Sequence, residues 1–338
     1  MKFLILLIIA LVISSIGFKK FVWFISLGYG FSIAGIGAGL IVLFWRELTI
    51  PTLVMALLFI VYGCRLGGYL LIREQKSTSY QSTMKNDIKD GSDMNFFLKV
   101  LVWVSCALLY CCETAPVFFR LENHAGSDLV TFLGSLIMAI GILLESFSDF
   151  TKNNFKKEHP HAFCNVGLFR FVRCPNYLGE VITWTGVFVS GTTALHGTLQ
   201  WTAALIGWLG IIYIMFGGAR RLELRQNKNY GNDPEYQKYV KSTPILNQQM
   251  RVLMPSGFIG MIAGLIIGRH VINFAVLRSE IFSFPAVVFF LITIIGMICM
   301  SVFAVKLDET KAKNNWIEQI TNAVAQGCFL AGVIAVIW

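Results

Sequence analysis

The densest run of polar side chains in this chain lies between residues 145 and 186. Its first part carries Glu145, Asp149, Lys152 and Lys156, which recur at steps of four, three and four residues. This spacing places all four side chains on one face of a helix. Two carboxylates followed by two ammonium groups can bind a charged ligand, or they can form ion pairs at a wetted helix end. The spacing alone leaves both interpretations open.

The second part of the run predicts an anion site at the start of a helix. Pro175 suits the first turn of a helix, where its missing N–H costs nothing, and Asn176 and Glu180 then lie one turn apart on one face. Backbone N–H groups at a helix N-terminus, beside Arg170 and Arg173, favour a bound phosphate. A carboxylate at the start of so apolar a segment is costly unless it has a function or a partner. We therefore expect a pocket that holds a phosphate-bearing cofactor.

The elements that carry these residues are predicted to be transmembrane helices. Hydrophobic residues make up 56% of the 338 residues and charged residues 14%, against about 25% charged residues in soluble domains. This composition excludes a soluble enzyme, a disordered chain and a nucleic-acid-binding module. A spanning helix needs about 20 mostly apolar residues. Ten segments qualify: 3–18, 21–44, 50–72, 96–119, 128–148, 177–195, 199–218, 254–276, 283–305 and 318–338. The expected fold class is an all-α, polytopic membrane helical bundle of about ten transmembrane helices.

The distribution of basic residues predicts the orientation of this integral, multi-pass protein. The net charge is +9, and most Lys and Arg residues lie in loops that follow odd-numbered spans. Loops after even-numbered spans, counted with the adjoining span ends, hold only Arg46, Arg120, Arg269 and Arg278. Because basic loops stay on the inner side of a membrane, the odd-numbered loops are expected in the cytoplasm. Small residues at four-residue spacing in GYGFSIAGIGAG (28–39) also predict close helix packing.

Three motifs carry a family resemblance. They are GLFRFVRCPNYLGEVITWTG (167–186), ELRQNKNYGNDPEYQKYVKSTPIL (223–246) and VYGCRLGGYLLIRE (61–74). The first is similar to the GLWRYSRHPNYFGE-type segment of the steroid 5-alpha-reductase-like family of membrane proteins, including its bacterial branch. The others resemble that family's closing stretch of paired tyrosines and its span with Arg-Leu. The resemblance implies a seven-helix reductase-like domain at residues 1–249, with three additional helices in 250–338.

The resemblance also implies a cofactor and its contacts. In the family, the cytoplasmic helix ends enclose NADPH and a lipid-facing cavity takes an apolar enone. The residues implied to hold NADPH here are Glu145, Asp149, Lys156, Arg170, Arg173, Asn176, Tyr177, Glu180, Tyr236 and Tyr239. Glu145 and Asp149 would line the adenosine and ribose end, and Asn176 and Glu180 would fix the nicotinamide amide. The lysine and the two arginines would hold phosphates, and one of the two late tyrosines would add a phosphate or ring contact.

The proton donor is predicted at Tyr62. Hydride addition to a conjugated olefin leaves an enolate, whose oxygen an acid must stabilise. Tyr62 precedes Arg65 by three residues, a spacing similar to the family's catalytic tyrosine segment. An arginine in mid-span costs about 2.5–3.5 kcal/mol, so Arg65 should face a pocket or a carboxylate. An ordinary buried aromatic is the alternative for Tyr62. The family's acidic partner has no clear match; Glu47 is a candidate by position only, on the opposite side of the predicted topology.

The expected function is an NADPH-dependent membrane reductase. It would transfer hydride to a conjugated double bond of a lipid-like substrate of the steroid, sterol, polyprenyl or fatty type. The alternative is an S-adenosylmethionine-dependent methyltransferase of the isoprenylcysteine or phospholipid type, which has a similar motif. Cys174 replaces the histidine common to both motifs. A transporter is disfavoured, since Arg65 has no counterpart in a second repeat. No metal site is expected, because the histidines and cysteines of residues 159–174 lack paired Cys-x-x-Cys spacing.

Overall fold

The computed structural model describes residues 1–76 and 94–246, together with Thr321 and Val324. In the described part of the chain the secondary structure is helical, with no strand, so the all-α class is confirmed there. The eight α-helices of this part are α1 (Lys2–Ser14), α2 (Leu27–Leu43), α3 (Ile50–Lys76), α4 (Phe96–Glu122), α5 (Leu129–Glu158), α6 (Pro175–Gly191), α7 (Gly197–Tyr230) and α8 (Pro234–Ser242). Short 3-10 helices lie at Ser15–Phe18, Phe21–Ile25 and Gly167–Arg170.

Several of these helices are long and apolar enough to cross a membrane, and the protein is therefore an integral membrane protein. The five stretches of this kind are Phe21–Leu43, Ile50–Gln75, Phe96–Glu122, Leu129–Glu158 and Gly197–Tyr230. Helix α6 has 17 residues, and the apolar stretch Lys2–Phe18 is also shorter. Each of the first seven predicted spans thus has a helix. The predicted count of about ten is not confirmed, because the last three spans fall almost wholly outside the described residues.

The chain divides into two compact units, Met1–Leu246 and Asn247–Trp338. Every residue predicted for the site belongs to the first unit. In that unit, α5 packs against α6, α2 against α3, and α4 against α7, while α6 also contacts α4 and α7. Helix α6 is therefore surrounded by other helices, which explains why its polar residues are buried. The prediction of three additional helices in residues 250–338 falls outside the described residues, apart from Thr321 and Val324.

Glycines bring α5 and α6 into backbone contact. A Cβ atom added at Gly141 of α5 would lie 2.6 Å from the carbonyl oxygen of Gly179 on α6. A Cβ atom added at Gly186 of α6 would lie 2.6 Å from the carbonyl oxygen of Gly134 on α5. The glycines are seven residues apart on each helix, so both pairs fall on one seam. A Cβ atom at Gly179 would also lie 2.7 Å from the backbone nitrogen of Glu145. The seam therefore sets Glu145 beside the turn that carries Glu180.

A second close contact joins α2 to α3. A Cβ atom added at Gly30 would lie 2.8 Å from the backbone nitrogen of Gly67, and one at Gly37 would lie 2.7 Å from the carbonyl oxygen of Ala56. The close packing predicted for residues 28–39 is thus confirmed. Because the backbones approach so closely, Tyr29 on α2 comes next to Tyr62 on α3, with 6.2 Å between ring centroids.

Ion pairs show which helix ends lie together. Lys20, which precedes α2, forms an ion pair with Glu74 at the end of α3. Lys2 lies 3.6 Å from Glu47 and 3.8 Å from Glu122 at the opposite end of the bundle. The segments that follow the first and third predicted spans therefore lie at one end. We call the end that holds Lys20, Glu74 and residues 156–175 the basic end. Its placement in the cytoplasm stays a prediction.

Candidate functional site

A buried carboxyl group shared by two tyrosines lies at the centre of the candidate site. Tyr62 donates a hydrogen bond to Oε1 of Glu180 at 2.7 Å, and Tyr29 donates one to the same oxygen at 3.0 Å. The two hydroxyl oxygens are 3.0 Å apart. Tyr62 is fully buried, and Tyr29 and Glu180 are 6% and 7% exposed. We call these three residues the tyrosine–carboxyl cluster. The cluster thus joins Tyr62, the predicted proton donor, to Glu180, which is predicted to hold the nicotinamide.

The acidic partner of Tyr62 is therefore Glu180. Glu47, the candidate by position, lies at the opposite end of the bundle, paired with Lys2. Aromatic rings enclose the cluster on the α6 side. Trp184, one turn after Glu180, meets Tyr62 edge-on with 5.7 Å between centroids and stacks on Phe59 at 6.0 Å. Since Tyr62, Tyr29 and Glu180 are buried, their hydrogen bonds are shielded from the solvent.

Arg65 connects α3 to two carboxylates of α5, as predicted for an arginine in mid-span. Its guanidinium forms an ion pair with Glu145, and its Nη1 donates a hydrogen bond to Oδ2 of Asp149 at 3.0 Å. Within the described residues, Oε2 of Glu145 is buried and has no hydrogen-bond partner. Glu145 also lies beside the turn of α6 that carries Glu180, since a Cβ atom at Gly179 would lie 2.7 Å from the backbone nitrogen of Glu145. One polar network thus runs from the tyrosine–carboxyl cluster toward the basic end. The predicted contact of Glu145 and Asp149 with a ribose stays a prediction.

The N-terminus of α6 forms the next layer toward the basic end. Helix α6 begins at Pro175, as predicted. Arg173 is 7% exposed, and it donates hydrogen bonds from Nε to the carbonyl oxygen of Thr243 at 2.9 Å and from Nη2 to Glu223 at 2.8 Å. Its Nη1 and the Oδ1 atom of Asn176 are buried, with no hydrogen-bond partner in the described part of the chain. One donor and one acceptor are therefore left for a ligand.

Cys174 occupies the position where the resembling motifs carry histidine. The thiol is 2% exposed. Burial raises its pKa to about 11, although the charges of Lys152 and Arg173 act in the opposite direction. Lys152 also interacts electrostatically with Asp149, so it links this layer to the network around Arg65. At neutral pH this position supplies a neutral thiol packed against Ala219 and Leu246, and no acid–base group.

The remaining predicted cofactor residues lie around α8 and the segment before α6. Lys156 donates to the carbonyl oxygen of Ala162 at 2.6 Å and to the hydroxyl of Tyr230 at 3.1 Å. Tyr236 donates to Oδ1 of Asn227 at 2.8 Å. Tyr239 donates to the carbonyl oxygen of Phe169 at 2.7 Å, and burial raises its pKa. These hydroxyl groups fasten α8 to α7 and to the segment before α6. Their contact with a cofactor stays a prediction.

Two further predicted residues differ in exposure. Arg170 ends the 3-10 helix Gly167–Arg170 and is exposed, so its guanidinium is accessible at the basic end. Tyr177 is partly buried, and its ring lies 3.4 Å from the point where a Cβ atom on Gly218 of α7 would stand. The structure therefore places Arg170 at the surface and Tyr177 between α6 and α7.

Two residues of the site are not predicted from the sequence. Tyr29 lies in the glycine-rich segment that indicates helix packing, and nothing in that pattern marks its hydroxyl group. Glu113 lies in mid-span on α4 and is 3% exposed. The sequence could have indicated Glu113 only as an acidic residue within a predicted span, because a carboxylate inside a membrane is costly and usually functional.

Residues 11–243 match the profile of a family described as a protein of unknown function, DUF1295. The chain belongs to this family. An uncharacterized protein of Schizosaccharomyces pombe is 34% identical over 78 residues, which are 23% of this chain and 21% of that protein. The match thus spans about a fifth of the relative's length. No solved structure matches the chain. These descriptions name no activity, so a functional argument must start from the site.

Proposed function

We propose that this DUF1295 protein is an NADPH-dependent membrane reductase of the steroid 5-alpha-reductase-like type. It transfers a hydride to a conjugated double bond of an apolar, lipid-like substrate. The tyrosine–carboxyl cluster carries the proposal: two phenolic hydroxyl groups and one carboxyl group are hydrogen-bonded to each other in a buried, aromatic-lined position.

This cluster suits the acid chemistry of enone reduction. Addition of a hydride to the β-carbon moves an electron pair onto the carbonyl oxygen of the substrate. The hydroxyl proton of Tyr62 or of Tyr29 can turn from Glu180 to that oxygen and be transferred to it. Glu180, which accepts a bond from each hydroxyl group, fixes both rings before the reaction. Fixed donors in an apolar site stabilise developing negative charge more strongly than water does.

The same cluster disfavours the methyltransferase alternative. Transfer of a methyl group from a sulfonium ion to a carboxylate, thiolate or amine neutralises the sulfonium charge and leaves no oxyanion to stabilise. Such a reaction requires a base or no proton transfer at all. A pair of buried phenols held on one carboxyl group has no evident use in it.

The side chains toward the basic end fit a nicotinamide dinucleotide phosphate. Oδ1 of Asn176 is an unused acceptor, which suits the N–H of a carboxamide. Nη1 of Arg173 is an unused cationic donor, which suits a phosphate oxygen. Arg170 and Lys156 add positive charge, and Oε2 of Glu145 is a further free acceptor. When bound, NADPH supplies the hydride; the protein binds it, orients the substrate and provides the proton.

Thermal unfolding of the purified protein in detergent tests the proposal. A ligand that binds the folded state raises the apparent stability by RT ln(1 + [L]/Kd). We expect NADPH to raise the melting temperature and S-adenosylmethionine to leave it unchanged. Asn176→Ala and Glu180→Gln should abolish the NADPH shift, whereas Asn165→Ala, at an exposed asparagine of the same end, should retain it.

Other results of the thermal-shift experiment would contradict parts of the proposal. Stabilisation by S-adenosylmethionine alone would favour a methyltransferase. A wild-type protein that neither ligand stabilises would contradict both enzyme functions. An unchanged NADPH shift in Asn176→Ala and Glu180→Gln would show that the nicotinamide end lies elsewhere.

A further inference from the structure

Glu113 is a buried carboxyl group that the proposed reaction does not use. It lies in mid-helix on α4 and is 3% exposed, and neither of its carboxyl oxygens has a hydrogen-bond partner among the described residues. An unpaired carboxylate in an apolar interior is so costly that the group takes up a proton or a cation instead. The buried position of Glu113 therefore requires that its carboxyl group either carries a proton or binds a cation.

The neighbours of Glu113 supply no cation in the described part of the chain. No lysine, arginine or histidine forms an ion pair with Glu113 there. The titratable groups whose charge acts on it include Tyr29, Tyr110, Glu180, Cys106, Cys111 and Cys112, none of which is a cation. The surroundings thus favour a neutral, protonated carboxyl group over a carboxylate.

The neighbours also place Glu113 beside the tyrosine–carboxyl cluster. Its helix, α4, packs against α2, which carries Tyr29, and against α6, which carries Glu180. Tyr110, three residues earlier on α4, packs its ring against Tyr29 with 5.1 Å between centroids. Helix α4 therefore directs Glu113 toward the Tyr29 side of the cluster.

The tyrosine–carboxyl cluster has only two hydroxyl protons that it could transfer to a substrate. Each tyrosine carries one hydroxyl proton, and both hydroxyl groups are directed at the same oxygen of Glu180, at 2.7 and 3.0 Å. If one of these protons moves to a substrate oxygen, a phenolate remains in an apolar site. A neighbouring neutral acid is then needed to restore the hydroxyl group.

We propose that Glu113 holds a proton at neutral pH and passes it to Tyr29, so that the cluster is reprotonated from α4. This inference rests on the proposed function. As the β-carbon receives the hydride, the substrate oxygen takes the hydroxyl proton of Tyr62, and Tyr29 returns a proton to Tyr62 across the 3.0 Å between the two hydroxyl oxygens. The O–H bond of Glu113 breaks as that of Tyr29 re-forms. The negative charge ends on Glu113, which regains a proton from water. Because it acts through Tyr29, Glu113 is a positioning and proton-supplying residue.

Infrared difference spectroscopy of the full-length protein in detergent tests the first half of this proposal. Wild type minus Glu113→Gln should show the C=O stretching band of a protonated carboxylic acid, with a shift in D2O. Glu122→Gln, at the exposed end of the same helix, should remove no such band. Glu113→Asp keeps the acid and should keep a band, which covers the case that the glutamine variant does not fold. Absence of the band near neutral pH would overturn the proposal.

The frequency of the band tests the link to Tyr29. Tyr29→Phe removes the oxygen that accepts the Glu113 proton, so the C=O band should shift. Tyr213→Phe, at a ring that is 81% exposed on α7, should leave the band in place. An unchanged band in Tyr29→Phe would overturn the relay even if Glu113 is protonated. The NADPH melting shift separates the two proposals: its absence in wild type overturns the proposed function, whereas its presence with an unprotonated Glu113 overturns the relay alone.

Discussion

At the scale of single residues, the geometry of the site depends most on Arg65. It is the cation that the two carboxylates of α5 share, and its side chain is only 20% exposed. Glu145 and Asp149 are 4% and 14% exposed. Removing one member of a buried ion pair leaves an uncompensated charge, which costs far more than the pair itself contributes. The cation is therefore required even though the ion pairs need not add stability.

Arg65→Met is expected to lower the free energy of unfolding by roughly 3 kcal/mol, the low end for breaking a buried pair, because Arg65 is partly exposed. Chemical denaturation in detergent measures the change. Arg46→Met, at an exposed arginine of the opposite end, is the matched control and should have little effect. Equal destabilisation by the two variants would show that the pairing around Arg65 has no structural role.

At the scale of helices, the seam between α5 and α6 determines how the site is assembled. The two glycine pairs let the backbones meet, and Glu145 and Glu180 lie beside the contact between Gly141 and Gly179. A side chain at one of these glycines must push the helices apart, because the atoms within 3 Å include backbone nitrogen and carbonyl oxygen atoms that cannot rotate away. The seam thus couples helix packing to the geometry of the carboxyl groups.

Gly141→Ala should destabilise the protein by about 1–3 kcal/mol, the usual cost of an overpacked core. Its Cβ atom would fall 2.6 Å from the carbonyl oxygen of Gly179. Gly68→Ala on α3 is the matched control, since its Cβ atom would meet nothing within 4 Å. Alanine favours a helix over glycine by about 1 kcal/mol, so this variant should be neutral or stabilising. Unfolding midpoints of both variants give the comparison; a harmless Gly141→Ala would contradict the seam.

The sequence predicts helices and faces better than it predicts which helices touch. Hydropathy locates the first seven spans, but it reports only apolar lengths: the span predicted at 199–218 is the first part of α7, which continues to Tyr230. Spacing along one helix shows that Asn176 and Glu180 share a face. It does not show that Tyr29, 151 positions before Glu180, bonds to it. That contact depends on the glycine seams, whose partners are known only from the folded structure.

At the scale of the whole molecule, the distribution of charge agrees with the position of the site. Asn176, Arg173, Arg170 and Lys156 all lie toward the basic end. Basic segments remain on the cytoplasmic side of a membrane, where NADPH is available. The opposite end carries Glu47 and Glu122 near Lys2. The proposed site and the predicted topology therefore require the same orientation.

Cysteine accessibility tests that orientation. In intact cells, a membrane-impermeant maleimide should label Ala125→Cys, in the exposed loop between α4 and α5, above the wild-type background. Asn165→Cys, at the basic end, should be labelled only after the membrane is permeabilised. The reverse pattern would place the basic end outside the cytoplasm and separate the site from NADPH.

The proposed transfer of a hydride from NADPH to an apolar molecule, with the help of Tyr62, can be followed with an isotope. Membranes that contain the protein can be incubated with NADPH deuterated at the transferable position, and deuterium can be measured by mass spectrometry in the apolar extract. The substrate need not be identified beforehand, because the label itself marks the product. We expect deuterium in the extract for wild type and at least a tenfold loss for Tyr62→Phe, with Tyr213→Phe like wild type. An unlabelled extract from wild-type membranes, or equal labelling in Tyr62→Phe, would overturn the proposed hydride transfer.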